Sequence, residues 1–242
     1  MPTKRQRFGQ HMLVNGKVLA KIIDAAAISK SETVCEAGTG LGILTAELCK
    51  RAKHVVSFEI DKELLEKARK ELRFDNLALV KGDLFKSVDL DFDVFVSNLP
   101  YSRSRDAIEW LATQKFDRAV VMVQQEFADK IAAAPGDRDY RAISALANYC
   151  FKITSVTSAD RKSFSPQPKV DSVVLRLAPV HRVTRDTISK LNILFSKRNK
   201  KARSVAEKAG VTEIDVGEKR IDQLPGATLV RIAGKINDIR AI

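Results

Sequence analysis

The chain of 242 residues is 45% hydrophobic, which is enough to build the core of one large domain, or of a main domain with a small appendage. Its 42 Lys and Arg residues outnumber its 30 Asp and Glu residues, and the net charge of +12 suggests a polyanionic partner. The longest apolar runs fall far short of the roughly 20 residues that cross a bilayer, and no apolar segment behind residues 1–7 forms a signal peptide. We therefore expect a soluble, cytoplasmic protein without membrane contact.

The three cysteines, Cys35, Cys49 and Cys150, are odd in number and widely spaced, a pattern that argues against a disulfide framework or a zinc cluster. Cys35 and Cys49 fall within apolar patterns. We predict that all three are small core residues and that the protein holds no metal.

Apolar side chains recur at helical spacing over residues 15–28, which predicts an amphipathic helix before the first strand. Short β-branched runs and helix-like stretches then alternate along the chain. The predicted strands are 33–36, 54–59, 78–81, 93–97 and 119–124, and the predicted helices are 43–50, 62–72 and 106–112. This alternation predicts an α/β fold, a parallel sheet with helices on both faces. Two further predicted strands, 153–158 and 173–177, lack a convincing helix between them and suggest an antiparallel hairpin at one sheet edge.

The pattern changes near Pro179, after which the apolar residues recur at helical spacing without a strand pattern. We therefore predict two domains, a main domain over residues 1–180 and a small all-α domain over 181–242. The second domain has 14 Lys or Arg residues against 7 Asp or Glu residues, so it holds seven of the twelve net positive charges.

The densest basic cluster of the chain lies in this second domain. It comprises Lys197, Arg198, Lys200, Lys201 and Arg203. A solvated helix face is one interpretation of such a cluster, and a surface that binds RNA phosphates is the interpretation we favour.

A glycine-rich loop, Glu36-Ala-Gly-Thr-Gly-Leu-Gly42, follows the first predicted strand of the sheet and precedes a helix. Glycines such as Gly38 and Gly40 let a backbone turn sharply and approach a ligand closely at the carboxyl ends of parallel strands. No Gly-Lys-Ser/Thr follows, so the loop is not a phosphate-binding P-loop. By itself the loop indicates only a nucleotide-like cofactor.

Acidic residues end the next two predicted strands. Glu59 lies 23 residues after Glu36, where its carboxylate can accept hydrogen bonds from both hydroxyls of a ribose. Asp83 follows the third strand, where it can accept a hydrogen bond from an adenine amine. Because a pyrophosphate prefers the longer G-x-G-x-x-G turn, the three strand ends together favour S-adenosylmethionine over NAD.

The fourth predicted strand runs into Asn98-Leu-Pro-Tyr101, a tetrapeptide similar to the (Asn/Asp)-Pro-Pro-(Tyr/Phe) signature of methyltransferases that act on amino groups of nucleic-acid bases. An adenine amine is a poor nucleophile because its lone pair is delocalised into the ring. Two acceptors on its N–H groups, the Asn98 side-chain oxygen and the Leu99 carbonyl, favour a pyramidal nitrogen. Pro100 stiffens the turn, and Tyr101 offers a flat face to an extruded base.

With these motifs in view, the chain resembles the small-subunit ribosomal RNA adenine dimethyltransferase family, over about residues 5–179 and more weakly to residue 205. The motifs that support the resemblance are Arg7–Leu13, Glu36–Gly42, Asn98–Tyr101, Gln125–Ala128, Ser163–Ser172 and Phe195–Lys201. The block Asp139–Ser144 and the short C-terminal domain are more similar to the archaeal branch than to the bacterial one.

The resemblance implies a Rossmann-like sheet of seven strands with a reversed C-terminal hairpin and a helical second domain. It also implies dimethylation of two adjacent adenines in a helix-end loop of small-subunit rRNA, within an immature subunit. The implied cofactor contacts are His11, Leu13, Gly38, Gly40, Glu59, Asp83 and Asn98. The resemblance further implies that Phe164 and Tyr101 sandwich the target base.

Three positions depart from the family pattern. His11 stands where Asn is usual, and Arg141 replaces a more usual glycine. After Tyr101 the family commonly has Asn or Gln followed by Ile-Ser, whereas this chain has Ser102-Arg-Ser-Arg105. We predict that Arg103 and Arg105 pair with RNA phosphate or alter the target preference.

Three other functions compete with this interpretation. An antibiotic-resistance methyltransferase of large-subunit rRNA shares the Asn-x-Pro-Tyr loop, but the blocks 163–172 and 139–144 argue against it. A ribosome-assembly binding factor with secondary methylation explains the basic C-terminal domain. A small-molecule methyltransferase explains the glycine loop but neither the basic domain nor the loop 98–101. The sequence requires no state larger than a monomer.

Overall fold

A computed structural model describes residues 11–87 and 90–236, so residues 7–10 of the motif Arg7–Leu13 lie outside the described residues. The described chain forms two compact units. The first takes its residues from the chain up to 107, from 114–125 and from 153–178, and the second from 108–113, 126–152 and 179 onward. The second unit therefore combines the basic helical segment with two earlier segments. The domain boundary at 180/181 stays a prediction.

A seven-stranded sheet forms the centre of the first unit, in the order β4-β3-β2-β5-β6-β9-β7. Its strands are β2 (Thr33–Ala37), β3 (His54–Glu59), β4 (Leu77–Lys81), β5 (Val94–Asn98), β6 (Arg118–Gln124), β7 (Phe151–Ala159) and β9 (Ser172–Pro179). β2 to β6 pair in parallel, and β9 runs antiparallel to β6. The structure thus confirms the predicted α/β sheet with a reversed edge.

The central strands are buried on both faces, which explains their nearly unbroken apolar sequence. In β5, Val94, Phe95 and Val96 are each 0% exposed, and in β6 the run 119–123 is equally buried. Cys35, Cys49 and Cys150 are free and buried, which confirms their prediction as core residues.

Three helices of the first unit lie between its strands, and side chains satisfy terminal backbone groups of two of them. They are α1 (Gly16–Ala26), α2 (Ile43–Cys49) and α3 (Lys62–Glu71). The Asn15 side chain accepts hydrogen bonds from two N–H groups at the start of α1, and Asp61 does the same for α3. At the end of α1, the Arg118 guanidinium donates to the carbonyls of Ala26 and Ala27.

A separate two-stranded sheet joins β1 (Met12–Leu13) to β8 (Phe164–Ser165) in antiparallel register. Its residues lie about 150 positions apart along the chain, and each strand has only two residues. This sheet could not be predicted from the sequence, because so short a strand has no readable alternation.

The helices in the remaining described segments are α4 (Ser104–Leu111), α5 (Gln125–Ala132), α6 (Ala142–Cys150), α7 (Arg185–Ser196), α8 (Ala202–Lys208) and α9 (Gly226–Lys235). In the second unit, α9 packs on both α6 and α7. Gly226 permits this packing, because a Cβ there would lie 2.4 Å from the Ala145 carbonyl oxygen. No described helix combines the length and the apolar character that crossing a membrane demands.

Candidate active site

A cavity in the first unit opens at the carboxyl ends of β2 to β5. The predicted site residues that line it are His11, Leu13, Gly38, Gly40, Glu59, Asp83, Asn98, Leu99, Pro100, Tyr101 and Arg103. Parallel strands present their carboxyl ends at one edge of a sheet, so residues from four separate motifs meet there.

The glycine loop turns back toward the tip of β3. Gly38 has φ +84° and Gly40 has φ +56°, left-handed conformations that favour glycine. The Gly38 N–H donates to the Phe58 carbonyl (2.8 Å), and the Gly40 N–H donates to Glu59 Oε2 (2.9 Å). A Cβ added at Gly38 would meet no atom within 4 Å, so the backbone borders open space where a ligand fits.

Glu59 is a buried carboxylate, 5% exposed, at the end of β3. Its Oε2 accepts from the Gly40 N–H, and its Oε1 accepts from the Asp61 N–H, both at 2.9 Å. A carboxylate has about four acceptor sites, so Glu59 keeps capacity for further hydroxyl donors. The two backbone bonds hold it in one orientation at the cavity wall.

Glu36, which the sequence analysis did not name as a site residue, lines the same cavity and is 1% exposed. Its Oε2 accepts from the Thr45 and Ser57 hydroxyls, both at 2.6 Å, whereas Oε1 has no partner among the described residues. Burial raises the pKa of Glu36 to about 7; the two hydroxyls oppose this rise, and the charge of Glu59 adds to it. The acidic position immediately before the glycine run was its only sequence signal.

Asn98 is the last residue of β5, and its Nδ2 donates to the His11 carbonyl at 3.2 Å. This bond identifies which terminal atom of the amide is the nitrogen, and it leaves Oδ1 as the acceptor that Asn98 offers to a ligand. Leu99 is 1% exposed, and its N–H donates to the Met122 carbonyl of β6. The loop is therefore anchored on both sides before Pro100 turns it.

Tyr101 lies in the cavity wall, and its ring faces the ring of His11 with centroids 5.3 Å apart and planes tilted by 32°. The Tyr101 hydroxyl bonds to the Ser172 hydroxyl at 2.7 Å. Burial raises the pKa of Tyr101, against the opposing effect of the Ser172 bond, so the phenol is neutral at physiological pH. His11 Nδ1 lies 2.9 Å from the Pro166 carbonyl, which only accepts, so this nitrogen donates.

The family resemblance implied that Phe164 and Tyr101 sandwich the target base, and the structure places Phe164 in the core. It is 3% exposed, pairs with Leu13 across the β1/β8 sheet, and packs in the hydrophobic core of the first unit. The cavity lining does not include it. The ring that faces Tyr101 in this structure belongs to His11.

The arginines at the departures from the family pattern lie in different surroundings. Arg103 lines the cavity, and its guanidinium is bound to Asp83, whereas Arg105 is exposed. This placement favours a cavity role for Arg103 over the predicted phosphate contact. Arg141 stabilises its own loop, since its Nη1 donates to the carbonyls of Arg138 and Tyr140.

The basic cluster of the second unit is largely at the surface. Lys200, Lys201 and Arg203 are exposed, and Lys197 and Arg198 are partly so. Glu218 pairs with Lys201 at 2.8 Å and with Arg203 at 3.6 Å. Exposed pairs of this kind contribute little to stability and leave the cluster available to a polyanion.

The sheet order, the glycine loop and the acidic end of β3 define a Rossmann-like methyltransferase, and the Asn-Leu-Pro-Tyr loop narrows this class to enzymes that act on amino groups of bases. The model of the family described as ribosomal RNA adenine dimethylase matches residues 1–221. The chain therefore belongs to this family of methyltransferases.

Individual relatives agree with the family assignment. The probable ribosomal RNA small subunit methyltransferase A of Pyrococcus abyssi is 35% identical over 90% of this chain and 83% of its own length. The protein of the same name from Methanosarcina mazei is 33% identical over 97% of this chain and 93% of its own. Both organisms are archaea, in agreement with the predicted archaeal branch.

Two solved structures share the fold. A dimethyladenosine transferase from Plasmodium falciparum is 30% identical and superposes with a TM-score of 0.77, covering 92% of this chain and 96% of that chain. The 23S rRNA methyltransferase ErmE is 24% identical with a TM-score of 0.64, over 94% of this chain and 100% of that one. The second likeness shows the fold alone.

Proposed function

We propose that this enzyme transfers methyl groups from S-adenosylmethionine to the exocyclic amines of two adjacent adenines in a helix-end loop of small-subunit rRNA, during assembly of the small ribosomal subunit. The observation on which the proposal rests is the arrangement of the Asn98–Tyr101 loop in the wall of the cavity that Glu59 and Asp83 also line. One cavity thus holds acceptors for a nucleoside beside a loop suited to an adenine amine.

The cavity residues fit the cofactor. When bound, S-adenosylmethionine supplies an electrophilic methyl group on a sulfonium. The open space above Gly38 admits the ligand, the spare acceptor sites of Glu59 suit ribose hydroxyls, and Asp83 suits an adenine amine. The unpartnered Glu36 Oε1 adds a buried acceptor for a cationic or N–H group.

The loop residues activate the target by position. Asn98 Oδ1 and the Leu99 carbonyl would each accept one N–H of the adenine amine, which localises the nitrogen lone pair for attack. The Tyr101 ring would stack on the extruded base. The methylated amine is cationic and loses its proton readily, so the chain needs no general base before attack and works mainly by positioning.

The choice of rRNA rests on several observations. Archaeal relatives at about 35% identity are named small-subunit methyltransferases, and the exposed cluster 197–203 supplies cations for phosphates. We propose that the protein binds as a monomer, without metal, to an immature small subunit in the cytoplasm. The free, buried thiols suit such a reducing compartment.

Methyl transfer to isolated ribosomal subunits tests the substrate. Unmethylated small subunits and unmethylated large subunits are each incubated with the enzyme and S-adenosylmethionine labelled in the methyl group. We expect label in small-subunit RNA only. Label confined to the large subunit would support the resistance-type activity instead, and no label in either RNA would favour an assembly factor.

A further inference from the structure

Arg103, two residues after Tyr101, contacts two carboxylates and one aromatic ring. It ends the short 3-10 turn Tyr101–Arg103. Its Nη2 lies 2.7 Å from both carboxylate oxygens of Asp83, and its Nη1 lies 2.7 Å from Asp106 Oδ2. Its Cζ lies 5.3 Å from the centroid of the Phe85 ring, within range of a cation–π contact. The guanidinium therefore connects the loop to the end of β4.

These contacts are partly shielded from water. The Arg103 side chain is 29% exposed and the Asp83 side chain 17%. Arg103 Nε is buried and makes no hydrogen bond to any described residue. A buried donor without an acceptor costs free energy that a ligand nitrogen or oxygen can recover. This unsatisfied donor lies beside the carboxylate that suits an adenine amine.

Asp83 does not have to release Arg103 in order to bind a ligand. It accepts from Arg103 at both oxygens and from the Phe85 N–H at 3.1 Å. A carboxylate has about four acceptor sites, so one remains. Because Arg103 Nη2 contacts both oxygens and the Phe85 N–H holds Oδ1, these contacts fix the orientation of the carboxylate and therefore the direction of the remaining site.

We propose that Arg103 is a positioning residue that holds Asp83 for the adenine amine of the cofactor and ties it to the Asn98–Tyr101 loop. This inference rests on the proposed function, because it takes S-adenosylmethionine as the ligand. Arg103 lies in the Ser102–Arg105 segment where the chain departs from its family pattern. Adenine recognition in this protein thus depends on a side chain from the loop that also receives the target base.

Calorimetric binding of S-adenosylhomocysteine tests the inference without catalysis. We expect Arg103→Met to weaken binding about tenfold, as loss of a charge-assisted contact does, and Arg103→Lys to have an intermediate effect. The matched control is Arg69→Met, which removes an exposed arginine paired with Glu66 at 2.9 Å. Unchanged or tighter binding by Arg103→Met would overturn the proposal, since tighter binding means that Arg103 competes with the ligand for Asp83.

A comparison of adenosine with purine riboside, which lacks the exocyclic amine, separates positioning from general support of the fold. We expect the wild type to prefer adenosine about tenfold and Arg103→Met to lose most of this preference. Equal weakening of both nucleosides, with the preference retained, would contradict the positioning role. If Arg103→Met does not fold, Arg103→Lys is used for both measurements. Failure of the wild type to bind S-adenosylhomocysteine would overturn the proposed function itself.

Discussion

The two units of the molecule use charge in opposite ways. In the first unit, acidic groups lie inside: Glu36 and Glu59 are 1% and 5% exposed, and short hydrogen bonds fix them in place. In the second unit, basic groups lie outside, and the ion pairs of Lys201 and Arg203 with Glu218 involve side chains more than half exposed. Because the carboxylates of the first unit are buried, their contacts have one defined geometry that a small structural change disturbs. Because the cations of the second unit are exposed, they can pair with different partners, and salt screens their charge.

This contrast orders the expected effects of substitution. A substitution at a buried, hydrogen-bonded group alters a defined geometry in a region of low dielectric constant. The loss of a single polar atom there therefore has a large effect. A change at an exposed cation removes one of several weak contacts with a polyanion. Substitutions at the buried groups are therefore expected to have larger effects than substitutions at the exposed cations.

Asn98→Ala removes the acceptor oxygen that the first unit offers to the target amine. We expect kcat to fall about a hundred- to a thousandfold, by analogy with loss of one fixed polar group in other active sites. Steady-state methyl transfer to small-subunit RNA measures the change. Asn98→Asp keeps an acceptor oxygen but loses the Nδ2 bond to the His11 carbonyl, and it should retain much more activity. Equal loss in both variants would show that the His11 bond, rather than the acceptor, is essential.

Glu36→Gln makes the stability of the cofactor-free protein less dependent on pH. Because the folded-state pKa of Glu36 is raised to about 7 from 4.5, the unfolded chain ionises first, and the wild type loses stability as pH rises from 4.5 to 7. Urea unfolding should show that the stability of the variant relative to the wild type is about 2–3 kcal/mol greater at pH 8 than at pH 5.

Glu32→Gln is the control, because folding lowers the pKa of Glu32 whereas it raises the pKa of Glu36. Arg118 lowers the pKa of Glu32 to about 2, so the stability that this carboxylate contributes is present above 4.5 and lost only as pH falls toward 2. Glu32→Gln should therefore be less stable than the wild type by the same amount at pH 5 and at pH 8. If the stabilities of Glu36→Gln and the wild type changed by the same amount between pH 5 and pH 8, this result would contradict the raised pKa of Glu36.

Tyr101→Ala removes the ring that is proposed to stack on the target base. Stacking contributes about 1–3 kcal/mol per base, so we expect kcat/KM for RNA to fall roughly ten- to a hundredfold. Tyr101→Phe loses only the bond to Ser172 and should stay within a few-fold of the wild type. If Tyr101→Phe were as inactive as Tyr101→Ala, the hydroxyl rather than the ring face would be the group that activity requires.

Lys200→Gln combined with Lys201→Gln tests the exposed charges of the second unit. The slope of log affinity for small-subunit RNA against log salt concentration should fall in magnitude by about 2, because each lost phosphate contact lowers it by about 1. Lys67→Gln with Lys70→Gln, on the exposed face of α3, is the matched control and should leave the slope unchanged. An identical slope in both double variants would argue against RNA binding at residues 197–203.

Most of the fold could be predicted because its strands are buried and rich in β-branched residues. Predicted and observed bounds of β2 to β6 differ by at most one residue at either end. Helix α6 was missed, because nearly all of its small apolar residues are buried and it shows little amphipathic pattern. Helix α5 was missed although Phe127, Ala128 and Ile131 recur at helical spacing, because the element has only eight residues.

The site was predictable where function depends on backbone position and less so where it depends on side-chain partners. The glycine loop and the Asn98–Tyr101 loop follow strands, so sequence order places them at one edge of the sheet. The contact between Arg103 and Asp83, 20 residues apart, depends on rotamers that only packing selects. The same holds for Phe164, whose aromatic ring suits a base stack or a core equally well by sequence.

Identification of the methylated nucleoside decides whether the enzyme modifies the exocyclic amine of adenine. Small subunits labelled by the wild-type enzyme and by Asn98→Ala are digested to nucleosides and separated by chromatography. We expect the wild-type label in dimethyladenosine, with two methyl groups on each of two adjacent adenines, and almost no label with the variant. Label on another base, or on a ring nitrogen or ribose of adenosine, would contradict the assignment of the Asn98–Tyr101 loop to the adenine amine.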